Sequence, residues 1–221
     1  MRAIDQTSSH HSVQGPLQHG RARRRVMALL AALFTAPAWA SLLRTPAMTE
    51  GPFYPVELPL DQDNDLTRVA GKTGVASGDA FDFAGRVLDA SGAPVAGAVV
   101  EIWQCNAFGA YHHPGDGGRL DPHFQGWGKT TTDAQGRYRF RTIRPVAYSG
   151  RLPHIHYKVK RAGKPEFTSQ VMIDGEAGNE RDFVFRHLRD AEARKRVLMT
   201  LARAPKESGA VWRTEYEIVV G

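Results

Sequence analysis

A chain of 221 residues holds one domain with a sizeable core and would be cramped for two, and its 42% hydrophobic content argues against both disorder and multiple membrane spans. The formal charge of +6 would suit a nucleic-acid partner, but the first forty residues carry five arginines against one aspartate. Without them 24 basic side chains face 22 acidic ones, no basic stripe with interleaved aromatics is left, and nucleic acid drops out as a partner.

Taken in chain order, residues 1–40 read as an export signal. Arg21, Arg23, Arg24 and Arg25 run into the apolar stretch 26–34, and Ala38-Trp39-Ala40 fits a small-x-small cleavage site. The apolar run is too short for a bilayer of roughly 30 Å, which takes about 20 apolar residues, so no stable span is expected after cleavage. The paired arginines fit twin-arginine export and also an ordinary Sec signal with a long basic start; both routes end outside the cytoplasm, in the periplasm for a bacterial chain. Residues 41–78 form a Pro- and Asp-rich N-terminal arm, and residues 79–221 the main, strand-rich domain.

Strands are predicted at 81–88, 95–103, 129–132, 138–142, 154–159, 169–173 and 214–220, from two-residue alternation and β-rich composition. Asp89-Ala90-Ser91-Gly92-Ala93-Pro94 and Asp133-Ala134-Gln135-Gly136 supply turn chemistry for two hairpins. Ala191, Val197, Leu198 and Leu201 share a face of a single late helix over 190–202. Many short strands, frequent glycine turns and one helix predict an all-β fold, a β-sandwich of the immunoglobulin or prealbumin kind with long active-site loops. The lone cysteine, Cys105, and Trp103 sit in the apolar run 99–105 and read as core.

The strongest chemical signal is His154-Ile155-His156, because residues two apart on a strand project to one face and can share a metal. Alone, such a pair is equally compatible with two histidines on a half-exposed strand. Tyr148 and Arg151 lie just upstream and crowd a phenol and a guanidinium beside the two imidazoles. His112, His113 and His123 lie in a polar, glycine-rich stretch and read as loop residues.

Four stretches together resemble a known family: Thr49-Glu50-Gly51-Pro52-Phe53-Tyr54-Pro55; Val100-Glu101-Ile102-Trp103-Gln104 leading to Gly109-Ala110-Tyr111; residues 133–145; and residues 148–156. In this order they are similar to the intradiol ring-cleavage dioxygenases of the protocatechuate 3,4-dioxygenase type. The resemblance implies an Fe(III) cofactor held by Tyr111, Tyr148, His154 and His156, with Arg151 and Gln170 around the pocket. It implies a catecholic substrate and O2, cleavage between the two hydroxyls to a cis,cis-muconate, and a Tyr148 that gives way to substrate and serves as a base. Phenolate and imidazole form a mostly hard O/N set suited to trivalent iron, whereas zinc usually takes His, Cys or carboxylate.

The chain departs from the family at Gly150, where protocatechuate-type enzymes commonly carry tryptophan, and it lacks the helical segment that precedes the catalytic domain of catechol 1,2-dioxygenases. The protocatechuate-type enzymes pair two related chains, so the resemblance implies an oligomer, with itself or with a partner. Two rival readings remain: a non-catalytic transthyretin-like or adhesin-like β-module, and a zinc or copper enzyme using His154, His156 and a loop histidine such as His113.

Overall fold

In the computed structural model, which describes residues 41–221, nine strands form two sheets packed face to face. They are β1 (Ala80–Asp89), β2 (Val99–Trp103), β3 (Trp127–Thr131), β4 (Arg137–Ile143), β5 (His154–Lys160), β6 (Phe167–Ile173), β7 (Leu198–Met199), β8 (Ala202–Arg203) and β9 (Trp212–Val220). The first sheet has the order β4-β1-β9-β8 and the second β3-β2-β5-β6-β7, with β1·β9 and β6·β7 parallel and the other pairs antiparallel. This is the expected all-β sandwich. The proposed leader, residues 1–40, lies outside the described residues.

Alternation decides which side chains meet between the sheets. Phe81, Phe83 and Val87 of β1, Tyr138 and Phe140 of β4, and Ile218 of β9 face Val100 and Ile102 of β2, Ile155, Tyr157 and Val159 of β5, and Val171 of β6. Each such side chain contributes about 1.5–3 kcal/mol by leaving water. The intervening positions of the second sheet, Glu101, Trp103, His154, His156, Lys158 and Gln170, therefore point to its outer face. They are buried nevertheless, because the N-terminal arm lies across them.

The arm is irregular but tied down at intervals. Thr45 N donates to Val219 O, Met48 N to Thr168 O, and Ser169 Oγ to Pro46 O. Its later part joins the sandwich outright: Asp65 bridges Arg141, and Leu66 is fully buried in the inter-sheet core.

Three local expectations are corrected. Both predicted hairpins instead carry the chain from one sheet to the other. Asp89 Oδ1 accepts from Ser91 N and Ala93 N, and Asp133 Oδ1 from Gln135 N and Arg137 N, so each turn closes locally as its residues dictate. The flanking strands nonetheless belong to opposite sheets, since β1 and β4 pair with each other, as do β2 and β3. The 95–103 strand starts only at Val99, because Val95 bonds back to Val87 O before the crossing.

The helix expected over 190–202 is the third correction. It closes after five residues as α2 (Ala191–Lys195), following a still shorter α1 (Phe183–Arg186). Beyond it Val197 and Met199 are buried, and Met172 N and Asp174 N bond to the carbonyls of Val197 and Met199, so the free edge of β6 wins these residues as strand β7. Helical periodicity yields to pairing at an open sheet edge. Among the described residues no helix is long and apolar enough to cross a membrane.

Candidate metal centre and active site

One row of side chains crosses the outer face of the second sheet: Trp127, Trp103, His156 and Gln170 stand in register on β3, β2, β5 and β6. His154, two residues before His156 on the same strand, completes the imidazole pair, with Nε2 atoms 3.1 Å apart and both rings buried. His154 Nδ1 faces the Leu152 carbonyl. A carbonyl can only accept, so Nδ1 carries the proton and the Nε2 lone pair is turned toward His156. Trp103, expected in the core, instead stacks on the His156 ring at 5.0 Å and 11°, forming the floor of the site under the arm.

Two phenols close on the imidazoles. The Tyr148 ring lies 5.5 Å from His154, the Tyr111 ring 6.1 Å from His156, and the two phenol rings 5.0 Å from each other. Tyr111 comes from the loop after β2, where its N–H bonds Asp116 Oδ2 and its ring stacks on Phe53 of the arm at 4.9 Å. Tyr148 and Arg151 are the two ends of a tight turn: Tyr148 N donates to Arg151 O and Arg151 N to Tyr148 O. Ser149 at φ 42° and Gly150 at φ 78° both take the left-handed conformation that such a two-residue turn demands. At Gly150 nothing stands within 4 Å of where a Cβ would be, so this exposed position is open space.

Arg151 is almost fully buried, not a surface arginine. Its Nε donates to Asp182 Oδ2 at 2.8 Å and its Nη2 to Gln170 Oε1 at 2.7 Å, while Gln170 Nε2 donates to the Thr49 carbonyl of the arm. All six residues singled out from the sequence thus come together. The arm is clamped one register step away: Tyr54 Oη donates to Glu101 Oε2, Lys158 Nζ lies 2.7 Å from Glu50 Oε2 and 4.0 Å from the Tyr54 ring centroid, and Lys160 Nζ lies 2.6 Å from Glu101 Oε1. The clamp brings Gly51, at φ 76°, so near His156 that a Cβ would sit 3.2 Å from its Cε1.

Sequence reasoning overlooked Asp182, Glu101 and Lys158. A carboxylate in the outward register of an apolar strand, as Glu101 is, was the available signal. Asp182 left only a capping residue ahead of Phe183-Val184-Phe185.

The electrostatics leave the four donors uncharged. Burial, reinforced by Arg151, pushes His154 down to about 4, and burial with neighbouring His154 lowers His156 further, so both imidazoles are neutral at physiological pH. Burial likewise pushes both phenols up, well above the usual range for Tyr111 and less for Tyr148, where the Tyr111 hydroxyl and the Arg151 cation offset it. Tyr111 Oη and His156 Nδ1 are buried with no hydrogen-bond partner of ordinary geometry. Unpaired polar atoms out of water are costly, and a metal ion held between the rings would remove that cost at Tyr111. Among the described residues no three of His, Cys, Asp and Glu converge as a metal site, and the groups that stand beside the imidazole pair are the two phenols.

The family model described as "Dioxygenase" matches residues 49–220. The chain belongs to the intradiol ring-cleavage dioxygenases. The dioxygenase is 37% identical over 180 residues to the protocatechuate 3,4-dioxygenase beta chain of Burkholderia cepacia, covering 76% of each chain. It is 32% identical over 176 residues to catechol 1,2-dioxygenase 2 of Acinetobacter lwoffii, covering 68% of this chain and 62% of that one. Among solved structures, the dioxygenase domain of a dioxygenase and carbohydrate-binding protein fusion from Streptomyces sp. SirexAA-E superposes with a TM-score of 0.63 at 28% identity, over 80% of this chain and 97% of that one. The dioxygenase is therefore an oxidoreductase of the ring-cleaving class, and that class is generally dependent on non-haem iron.

Proposed function

We propose that this dioxygenase holds a non-haem Fe(III) through Tyr111, Tyr148, His154 and His156 and cleaves catechol-type rings between their two hydroxyls with O2. The observation that carries the reading is the convergence of two buried phenols and two neutral imidazoles in one pocket, where Tyr111 Oη has no hydrogen-bond partner of ordinary geometry and only the Tyr148 phenol beside it. Bound there, trivalent iron supplies the charge that displaces the phenol protons, and it makes a chelated catechol reactive toward O2.

The chain's own residues divide the remaining work. Tyr148 sits at the end of the Ser149-Gly150 turn and keeps a slight contact with solvent, whereas Tyr111 is sealed beneath Phe53. Tyr148 is therefore the phenol placed to yield to an arriving catechol and to accept one of its protons. Arg151 brings a fixed cation beside it, where negative charge on a bound catecholate ring is stabilised in a site shielded from water.

Purified protein is expected to bind one iron per chain and to be burgundy, from phenolate-to-iron absorption. Catechol, protocatechuate and hydroxyquinol, offered in turn, identify the preferred ring by the absorbance of the muconate product. In Tyr148→Phe the visible band shifts and turnover drops; a variant that keeps both the colour and the rate of the parent removes Tyr148 from the ligand set.

A further inference from the structure

The Arg151 guanidinium is held on two of its three nitrogens. Nε is taken by Asp182 and Nη2 by Gln170, and the Phe183 ring centroid lies 5.2 Å from the guanidinium carbon. Among the described residues no hydrogen bond engages Nη1, the edge left for a ligand. Asp182 itself is a junction. Its Oδ2 accepts from Arg151 Nε and from Leu152 N, two residues before His154, while its Oδ1 accepts from Val184 N and Phe185 N and caps α1. Its side chain is 0% exposed and that of Arg151 is 7% exposed, so the pair is out of water and neither group has bulk solvent as an alternative partner.

We propose that Asp182 is a positioning residue of the active site: it fixes the Arg151 guanidinium so that the unpaired edge serves the substrate, and never touches the substrate itself. This rests on the role given to Arg151 above. Gln170 alone cannot fix the group, because a single bond at Nη2 leaves the planar fork free to rotate, whereas bonds at Nε and Nη2 together define its plane. Burial disfavours a charged Asp182, but the bonds from Arg151, Leu152 and Phe185 outweigh it and hold the carboxyl below its ordinary value. The anchor is thus a full anion at neutral pH.

Asp182→Asn separates the two jobs of the side chain. The amide oxygen retains the cap on α1, and the amide nitrogen then meets the N–H groups of Arg151 and Leu152, donor against donor. In the iron-loaded enzyme with catechol as probe, kcat is expected to fall about 10–100-fold, the scale of a group displaced by about an ångström. Iron content and visible band should be retained. Anaerobic catechol affinity, read from the shift of that band, should stay within about threefold, since the loss falls on the reacting state and not on binding.

In an Arg151→Gln background the same substitution should cost less than about twofold, because the group it positions is gone. An unchanged kcat in Asp182→Asn, or an equal loss in both backgrounds, overturns the proposal in favour of a purely structural aspartate. Wild-type turnover in Arg151→Gln alone would instead bring down the role of Arg151. If the asparagine variant does not fold, Asp182→Ser, whose hydroxyl still caps a helix, is measured in the same two backgrounds.

Discussion

Between the two sheets the tyrosine hydroxyls are engaged: Tyr138 Oη donates to Tyr216 O, Tyr157 and Tyr216 share a bond at 3.2 Å, and Tyr216 Oη donates to Arg196 O. On the outer face of the second sheet Tyr111 is equally buried, and its hydroxyl has no partner of ordinary geometry, only the Tyr148 phenol beside it. The same residue type therefore does two things. In the core the phenol oxygen closes a hydrogen-bond network and the ring fills volume; under the arm the ring fills volume and the oxygen lies beside the second phenol and the imidazole pair. Burial pushes Tyr138, Tyr216 and Tyr111 alike well above the usual phenol range. What distinguishes the site from the core is thus not burial or acidity but the missing partner, and beside it a pair of facing imidazoles.

Removing one hydroxyl on each side tests this contrast. Tyr111→Phe should weaken iron binding by more than the about 10–100-fold that loss of a group merely orienting a metal ligand costs, with the melting temperature of the metal-free protein nearly unchanged. Metal analysis and calorimetry on one preparation check both halves, and a colourless but equally stable protein is the expected outcome. Tyr216→Phe should do the reverse. It strips the Arg196 carbonyl and the Tyr157 hydroxyl of a partner and should cost about 1–3 kcal/mol in denaturant unfolding, with iron content and colour intact. If Tyr216→Phe bleached the protein, or Tyr111→Phe unfolded it, the division between the two faces would be wrong.

A smaller effect probes the arm that separates the outer face from water. Gly51→Ala forces a left-handed φ on a residue with a Cβ and presses that Cβ toward the His156 ring, so it should cost about 1–2 kcal/mol. The visible band should shift with it, because Phe53 two residues on is stacked on Tyr111. A stability loss with an unmoved spectrum would mean that the arm covers the site without shaping it.

Much of this was readable in advance where the signal is local. Two-residue alternation placed the core of every long strand and put His154 and His156 on one face, because strand geometry leaves no other arrangement. That Tyr148 and Arg151 stand beside the imidazoles was implied by their closeness in sequence, whereas the tight turn over Ser149-Gly150 that holds them was seen only in the structure. Tyr111 was legible only through family resemblance: it is 43 residues before His154, and only the fold of the loop after β2 brings it back. The predicted helix failed at Val197 because its apolar residues serve either period, and the unpaired edge of β6 chose the strand.

By itself, then, the sequence determined the strand content, the imaging of one histidine pair onto one face, the turn chemistry at Asp89 and Asp133, and the family. The reading of residues 1–40 as an export leader rests on sequence alone. The tertiary structure decided which strands share a sheet, that both aspartate turns cross between sheets, that Trp103 floors the site and is not part of the inter-sheet core, and that Asp182 grips Arg151 across 31 positions. The physical reason is that alternation and turn propensity act over a few residues. Pairing partners, burial beneath the arm and the fate of each polar hydrogen depend on surfaces that exist only once distant segments have packed.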